Sequence, residues 1–281
     1  MHVEVSKIKE KGAVVKKQNN LIRSPIFKKV SQSGVEVETF EAFSEKEHDL
    51  INAFLLIIQT YFKGEGREKS LMDYLPSEKD GMVLRIALPE LQKLAKIKNR
   101  SIARMNELLE SITGKKIKLK GRIFWLNGAE KKEISVRENT TLIERTSIIT
   151  VAGGRGRGNQ NIIEIQPSRL FIALSLEEVY LPSGFTNIDH AYITSLRGAV
   201  PKALYQTIHS WGQNLKPGES SQLVLKTNDL QVICGVQPHM SHYRKILRKA
   251  SEKIDHYKIE IVEETIESIT LSFQKCQFII L

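Results

Sequence analysis

Cysteine is almost missing from this chain: its 281 residues hold two, Cys234 and Cys276. Two thiols cannot build a disulfide framework, and both read as reduced core thiols, which excludes a redox function. No apolar stretch is long enough to cross a bilayer. The opening MHVEVSKIKEKGAVVKK has no apolar core followed by a cleavage site, so a cytoplasmic protein with no membrane contact is expected. A phosphate-binding loop ending in Gly-Lys-Ser/Thr is also lacking, which argues against ATP hydrolysis by the chain itself and for no cofactor. Aromatic residues are only 7% of the chain, but the 41% hydrophobic content is that of a folded globular protein. Its length accommodates two domains, each with its own core.

Positive charge is what the sequence has in excess. The formal net charge is +10 and the isoelectric point about 9.4, a balance that favours polyanions because each neutralised phosphate releases condensed counterions. Nucleic acid is therefore the first partner to consider.

Residues 1–43 read as a basic arm carrying short strands, interrupted by Gly12, Pro25 and Gly34. Ser44-Glu45-Lys46-Glu47 then has capping-box spacing. In the helix it opens, Leu50, Phe54, Ile57, Ile58 and Tyr61 recur at helical intervals, and Ile51, Leu55 and Phe62 widen the apolar stripe. Burial at the centre of the first core is expected, although a dimer interface would produce the same breadth. MVLRIAL alternates as a strand, and PELQKLAKI and NRSIARMNELLESI form helices, the second closed by Gly114. KKIKLKGRIFWLN is expected to be a hairpin turning near Gly121, followed by strands through ERTSIITVA and NIIEIQPSRLFIAL. Helices followed by a hairpin define a winged helix, here over residues 44–176.

The order repeats over 177–281, after a linker at SLEEVYLPSGFTNID. PKALYQTIHSW is a helix opening at Pro201. TNDLQVICG is a short helix capped by Thr227 or Asn228, and a longer helix runs from His239 to Tyr257. KIEIVEETIESITLSFQKC is the closing hairpin. The fold class is thus α+β, with two tandem winged-helix domains.

On the His239–Tyr257 helix, Met240, Tyr243, Ile246, Leu247, Ala250 and Ile254 fall on one side, which packs inward. The opposite face collects Ser241, Lys245, Arg248 and Lys249, with His242 and Arg244 on its flanks. Such a ridge fits a major groove, where Arg244, Lys245 and Arg248 would donate to guanine O6 and N7. The first unit is a weaker copy: Ile102, Met105, Leu109 and Ile112 point inward, and Lys98, Arg100, Arg104, Lys115 and Lys116 are positioned for phosphate contact, diluted by Glu107 and Glu110. The run from Gly153 to Gly158 reads as a hairpin tip, either a solvated loop or one whose Arg155 and Arg157 enter a minor groove.

Two chemical rivals are weaker. A strand-nicking centre at His239, His242 and Tyr243 has the wrong histidine spacing and an inward tyrosine, and a zinc site at Cys234, His239 and His242 lacks a fourth nearby ligand. No metal and no catalytic residue is expected. A winged-helix transcriptional regulator, by contrast, stays level with a replication protein on these residues alone.

Several segments resemble the initiator replication proteins of theta-replicating, iteron-containing plasmids. VVKKQNNLIRSPIF looks like that family's opening segment, FSEKEHDLINAFLLII like its first long helix, LRGAVPKALYQTI like the helix opening its second domain, and NDLQVICGV through RKASEKID like its DNA-reading unit. The resemblance implies two winged-helix domains, with the first serving dimerisation and the stretch His239 to Asp255 reading bases. It also implies monomers on double-stranded DNA with repeated origin sites, in equilibrium with homodimers that repress their own promoter, and recruitment of a host replication initiator and helicase.

Overall fold

The computed structural model describes residues 2–4, 13–18, 29–32, 35–39, 43–65, 82–98, 101–127, 130–152, 159–176, 179–180, 185–234 and 239–277. Their apolar side chains gather into two cores, one drawn from Val15 through Leu176 and the other from Ile188 through Phe273.

The chain opens with four short strands, β1 (His2–Glu4), β2 (Val14–Gln18), β3 (Lys29–Gln32) and β4 (Val35–Thr39). Helix α1 (Glu45–Glu65) follows. Its capping box is made as expected: Glu47 N–H donates to Ser44 Oγ at 3.4 Å, and Ser44 N–H to Glu47 Oε2 at 2.5 Å. Every residue from 47 to 59 is buried. Two contacts explain a stripe that wide. One side of α1 packs in the first core, and the other meets the second unit.

The first winged helix is built from β5 (Val83–Ala87), α2 (Leu88–Leu94), α3 (Ile102–Gly114), β8 (Ile143–Val151) and β9 (Gln160–Pro167). Its sheet has β9 between β5 and β8, with β1 parallel to β5 at the edge. The wing is therefore the β8–β9 hairpin. The segment expected to be a hairpin about Gly121 is instead one long strand, β6 (Lys116–Asn127), pairing over its full length with β7 (Glu130–Thr141). Gly121 sits mid-strand at φ 145°, and the β6–β7 ribbon is an insertion between α3 and the wing, sheeted with β4 and β3. RLFIALS is also not strand but helix, α4 (Arg169–Ser175), started by Ser168, whose Oγ accepts from Phe171 N–H at 3.1 Å.

The connection to the second unit contains β10 (Val179–Tyr180), paired with β6, and β11 (Phe185–Asp189), paired antiparallel with β2. Then come α5 (His190–Ser195), capped by the Asp189 carboxylate, and α6 (Ala199–Gly212). Gly198 enters α6 at φ 100°, a backbone that side chains rarely adopt, with Pro201 Cδ 3.3 Å from where a Cβ would stand.

The second winged helix is β12 (Ser220–Lys226), α7 (Thr227–Cys234), α8 (Met240–Ser251), β13 (Tyr257–Glu264) and β14 (Ser268–Lys275). Its sheet order, β12–β14–β13, repeats that of β5–β9–β8: first strand, last strand, middle strand. The start of α7 is closed by Asp229, which accepts from Lys226 N–H at 2.9 Å, and not by Thr227, whose hydroxyl donates to Glu267 O in the wing.

Two of the buried contacts between the units are polar. Lys202 of α6 is ion-paired with Asp49 of α1, both side chains fully buried. Lys17 Nζ donates to Gln206 Oε1 at 2.9 Å.

Candidate nucleic-acid interface

Helix α8 is shorter than its periodicity suggested. It ends at Ser251, not Tyr257, because Ile254 N–H turns back to Ser251 O and the chain drops into β13. Ile254 still reaches the core, from beyond the helix. Tyr243, Leu247 and Ala250 are buried, and Met240 and Ile246 half-buried, as one apolar side. Ser241, His242, Arg244, Lys245, Arg248 and Lys249 are all exposed. No carboxylate interrupts the helix, and Arg248 and Lys249 lie in its last turn, where the helix dipole favours cations. Helix α7 holds it from behind through buried Leu230 and Ile233.

Arg244, on the flank of the ridge, was expected to read bases together with Lys245 and Arg248. Its Nη1 lies 3.4 Å from Glu264 Oε2, so the wing strand β13 holds this guanidinium at the flank of the ridge. Lys245, Arg248 and Lys249 are the other exposed cations of the helix. The wing itself is acidic: Glu260, Glu263, Glu264 and Glu267 are exposed, against exposed Lys258 and half-buried Lys275 at its base. Sequence reasoning treated this hairpin only as a wing; the string EIVEETIE carried the signal.

The first unit departs further from expectation. Lys115 is not a phosphate contact. It is 7% exposed, with its Nζ 2.9 Å from Glu47 Oε2 and 5.0 Å above the Phe43 ring. Burial pushes the Glu47 carboxyl up, but hydrogen bonds from Ser111, Ser44 and Lys115 outweigh it and leave Glu47 below its usual value. Ile102 is 42% exposed and does not point inward. Lys98 and Arg104 are exposed but turn toward a groove of about 1020 Å³ shared with the second unit. Glu107 and Glu110 are exposed on α3. Arg100, Arg155 and Arg157 lie outside the described residues. Lys116 is exposed, and it begins a cationic face that was missed: Lys116, Lys118, Lys120 and Arg122 alternate along β6 with buried Ile117 and Leu119. The alternation KIKLKGR was its signal.

Among the described residues no three histidine, cysteine, aspartate or glutamate side chains cluster as a metal site. Cys234 and Cys276 are free and half-buried, and burial pushes the Cys234 thiol up to about 12. Tyr243 is 1% exposed. No described helix is long and apolar enough to cross a membrane.

The Pi initiator protein, solved in complex with iteron DNA, has the same fold: TM-score 0.55 at 14% identity, over 96% of this chain and 100% of that one. Domains 2 and 3 of RctB are also similar in two crystal structures, with TM-scores of 0.46 and 0.45 and identities of 11% and 12%. The alignments cover 97% and 88% of this chain and 95% and 90% of theirs. No protein-family model and no curated protein sequence matches the chain. The fold is α+β with tandem winged-helix units, as the order of helices and hairpins suggested.

Proposed function

We propose that this chain is a sequence-specific DNA-binding protein that initiates replication from repeated origin sites. The observation carrying the reading is the α8 surface: Arg244, Lys245, Arg248 and Lys249 exposed on one helix with no carboxylate among them, over a buried apolar side. A helix of this kind enters a major groove, with Lys245 and Arg248 donating to base edges beside Ser241, and His242 and Lys249 reaching the flanking phosphates. Lys116 supplies a phosphate contact from the first unit. Lys98 and Arg104 add to its positive field. The fold shared with the Pi initiator protein, solved on iteron DNA, supports the initiator reading over a general DNA binder. Homodimers that repress the chain's own promoter, and recruitment of a host initiator and helicase, belong to the same proposal. The chain acts by binding and not by catalysis.

The second reading is a winged-helix transcriptional regulator, for which the same α8 surface serves equally. Permanganate footprinting on DNA from beside the gene separates them. An initiator protects tandem direct repeats and makes thymines in an adjacent A·T-rich stretch reactive. Protection of one palindrome with no reactive thymines establishes the regulator instead.

A further inference from the structure

The wing of the second unit is unsuited to a phosphate backbone, and its shape suits another partner. Between β13 and β14 the turn is fixed by Thr265, whose Oγ1 accepts from the N–H groups of Glu267 and Ser268 at 3.2 and 3.0 Å, while Thr265 N–H donates to Ser268 O at 2.8 Å. This turn thrusts Ile266 into solvent at 91% exposure. A bulge between Ile261 and Glu263, on the strand leading into the turn, holds Val262 half exposed. Exposed Glu263 and Glu267 lie within three residues of this apolar tip, next to Glu264, which is ion-paired with Arg244.

The opposite arrangement exists elsewhere on the same chain. The groove between the units is lined by apolar Ile97, Met105, Leu108 and Leu196 beside the buried Lys115–Glu47 pair, and by exposed Lys98, Arg104 and Arg197 with exposed Glu107 among them. Among all its lining residues six cations outnumber three carboxylates. An apolar tip with acidic neighbours thus matches a groove with apolar lining and an excess of cations, in both polarity and charge.

We propose that the wing tip of one copy docks in the inter-unit groove of a second copy. The contact is heterologous, since the two surfaces differ, so it propagates head to tail instead of closing a two-fold dimer. Head-to-tail order is the symmetry of tandem direct repeats, which extends the initiator reading. The contact itself stands on two surfaces that do not include α8. Its area is small, so it holds weakly in free solution and gains strength when DNA brings copies together.

The full chain with benzoylphenylalanine in place of Ile266, irradiated without DNA, is expected to give a dimeric adduct mapped by mass spectrometry to Ile97–Leu108 or Thr194–Arg197 of the second copy. Adducts elsewhere, only to a different protein in a lysate, or none at all would overturn the proposal. In sedimentation velocity at low salt, Glu263→Lys with Glu267→Lys, or Arg104→Glu with Arg197→Glu, should each weaken self-association by about tenfold or more. All four changes in one chain should restore it, which no misfolded variant can do. Parental behaviour of either pair, or failure of the combination, refutes the docking. Lys245→Ala with Arg248→Ala should leave the association unchanged, so this proposal and the DNA reading fail separately.

Discussion

Lys202 and Asp49 are ion-paired across the boundary between the two units with neither side chain open to solvent. Burial pulls the Lys202 ammonium down and pushes the Asp49 carboxyl up, and each is opposed mainly by the charge of the other. Removing one partner strands the other as a buried charge. Lys202→Met should therefore cost about 3–5 kcal/mol in urea unfolding, and Lys202→Met with Asp49→Leu should recover most of it. A double-variant loss equal to the sum of the losses for Lys202→Met and Asp49→Leu alone would show that the pair is not coupled.

On α8, Arg248→Ala should remove about 1–3 kcal/mol of discrimination at one base pair while sparing binding to unrelated DNA. Glu264→Gln should act in the opposite sense. It releases Arg244 and removes a carboxylate, so binding to unrelated duplex tightens and specificity falls. Fluorescence anisotropy on matched and mismatched duplexes measures both, and a uniform loss for Arg248→Ala across all sequences would contradict base reading.

Lys115 and Lys116 are neighbours with opposite expected effects. Lys115→Ala strands Glu47 in the interior and should lower the unfolding midpoint with little change in the salt dependence of DNA binding. Lys116→Ala should leave stability alone and reduce the salt slope by about 1, the signature of one lost phosphate contact. Salt titration beside thermal melting distinguishes them.

Acid should unfold the protein through its histidines. Burial holds His209 down to about 4 and His48 well below its ordinary value, and also lowers His256. His209 is engaged on both ring nitrogens, Nδ1 with Tyr257 hydroxyl at 2.7 Å and Nε2 with Asn187 O at 3.0 Å. A histidine whose folded value is lowered contributes stability that is complete above the unfolded value. That stability is lost as pH falls from about 6.5 toward the folded value. Between pH 6.5 and 4, His209 alone should lose on the order of 3 kcal/mol. Urea midpoints should fall through this window, and His209→Gln should flatten the slope. A pH-independent midpoint would show that these rings titrate normally.

Local chemistry was legible and distant pairing was not. The Ser44 cap, the apolar side of α8 and the repeated order of strand, two helices and hairpin follow from spacing within a few residues. Lys115 was misread because its partner Glu47 is 68 residues away in sequence. Adjacent residues at the start of a strand point to opposite faces, so only one of Lys115 and Lys116 reaches solvent. After Arg169 the segment LFIALS is buried throughout and so carries no period to tell helix from strand; the Ser168 cap was the available cue. The first wing was assigned to the wrong hairpin because an inserted ribbon satisfied the same pattern, and only strand pairing reveals which one lies beside β5.

The pairing of β2 with β11 also sets an order of events during synthesis. Residues 14–18 leave the ribosome well before residues 185–189, their partners, which follow after about 170 residues and thus about 10–35 s later at ordinary elongation rates. Through that interval an early segment waits as an unmatched edge. The pairing is thus a clasp whose two halves are made at widely separated times.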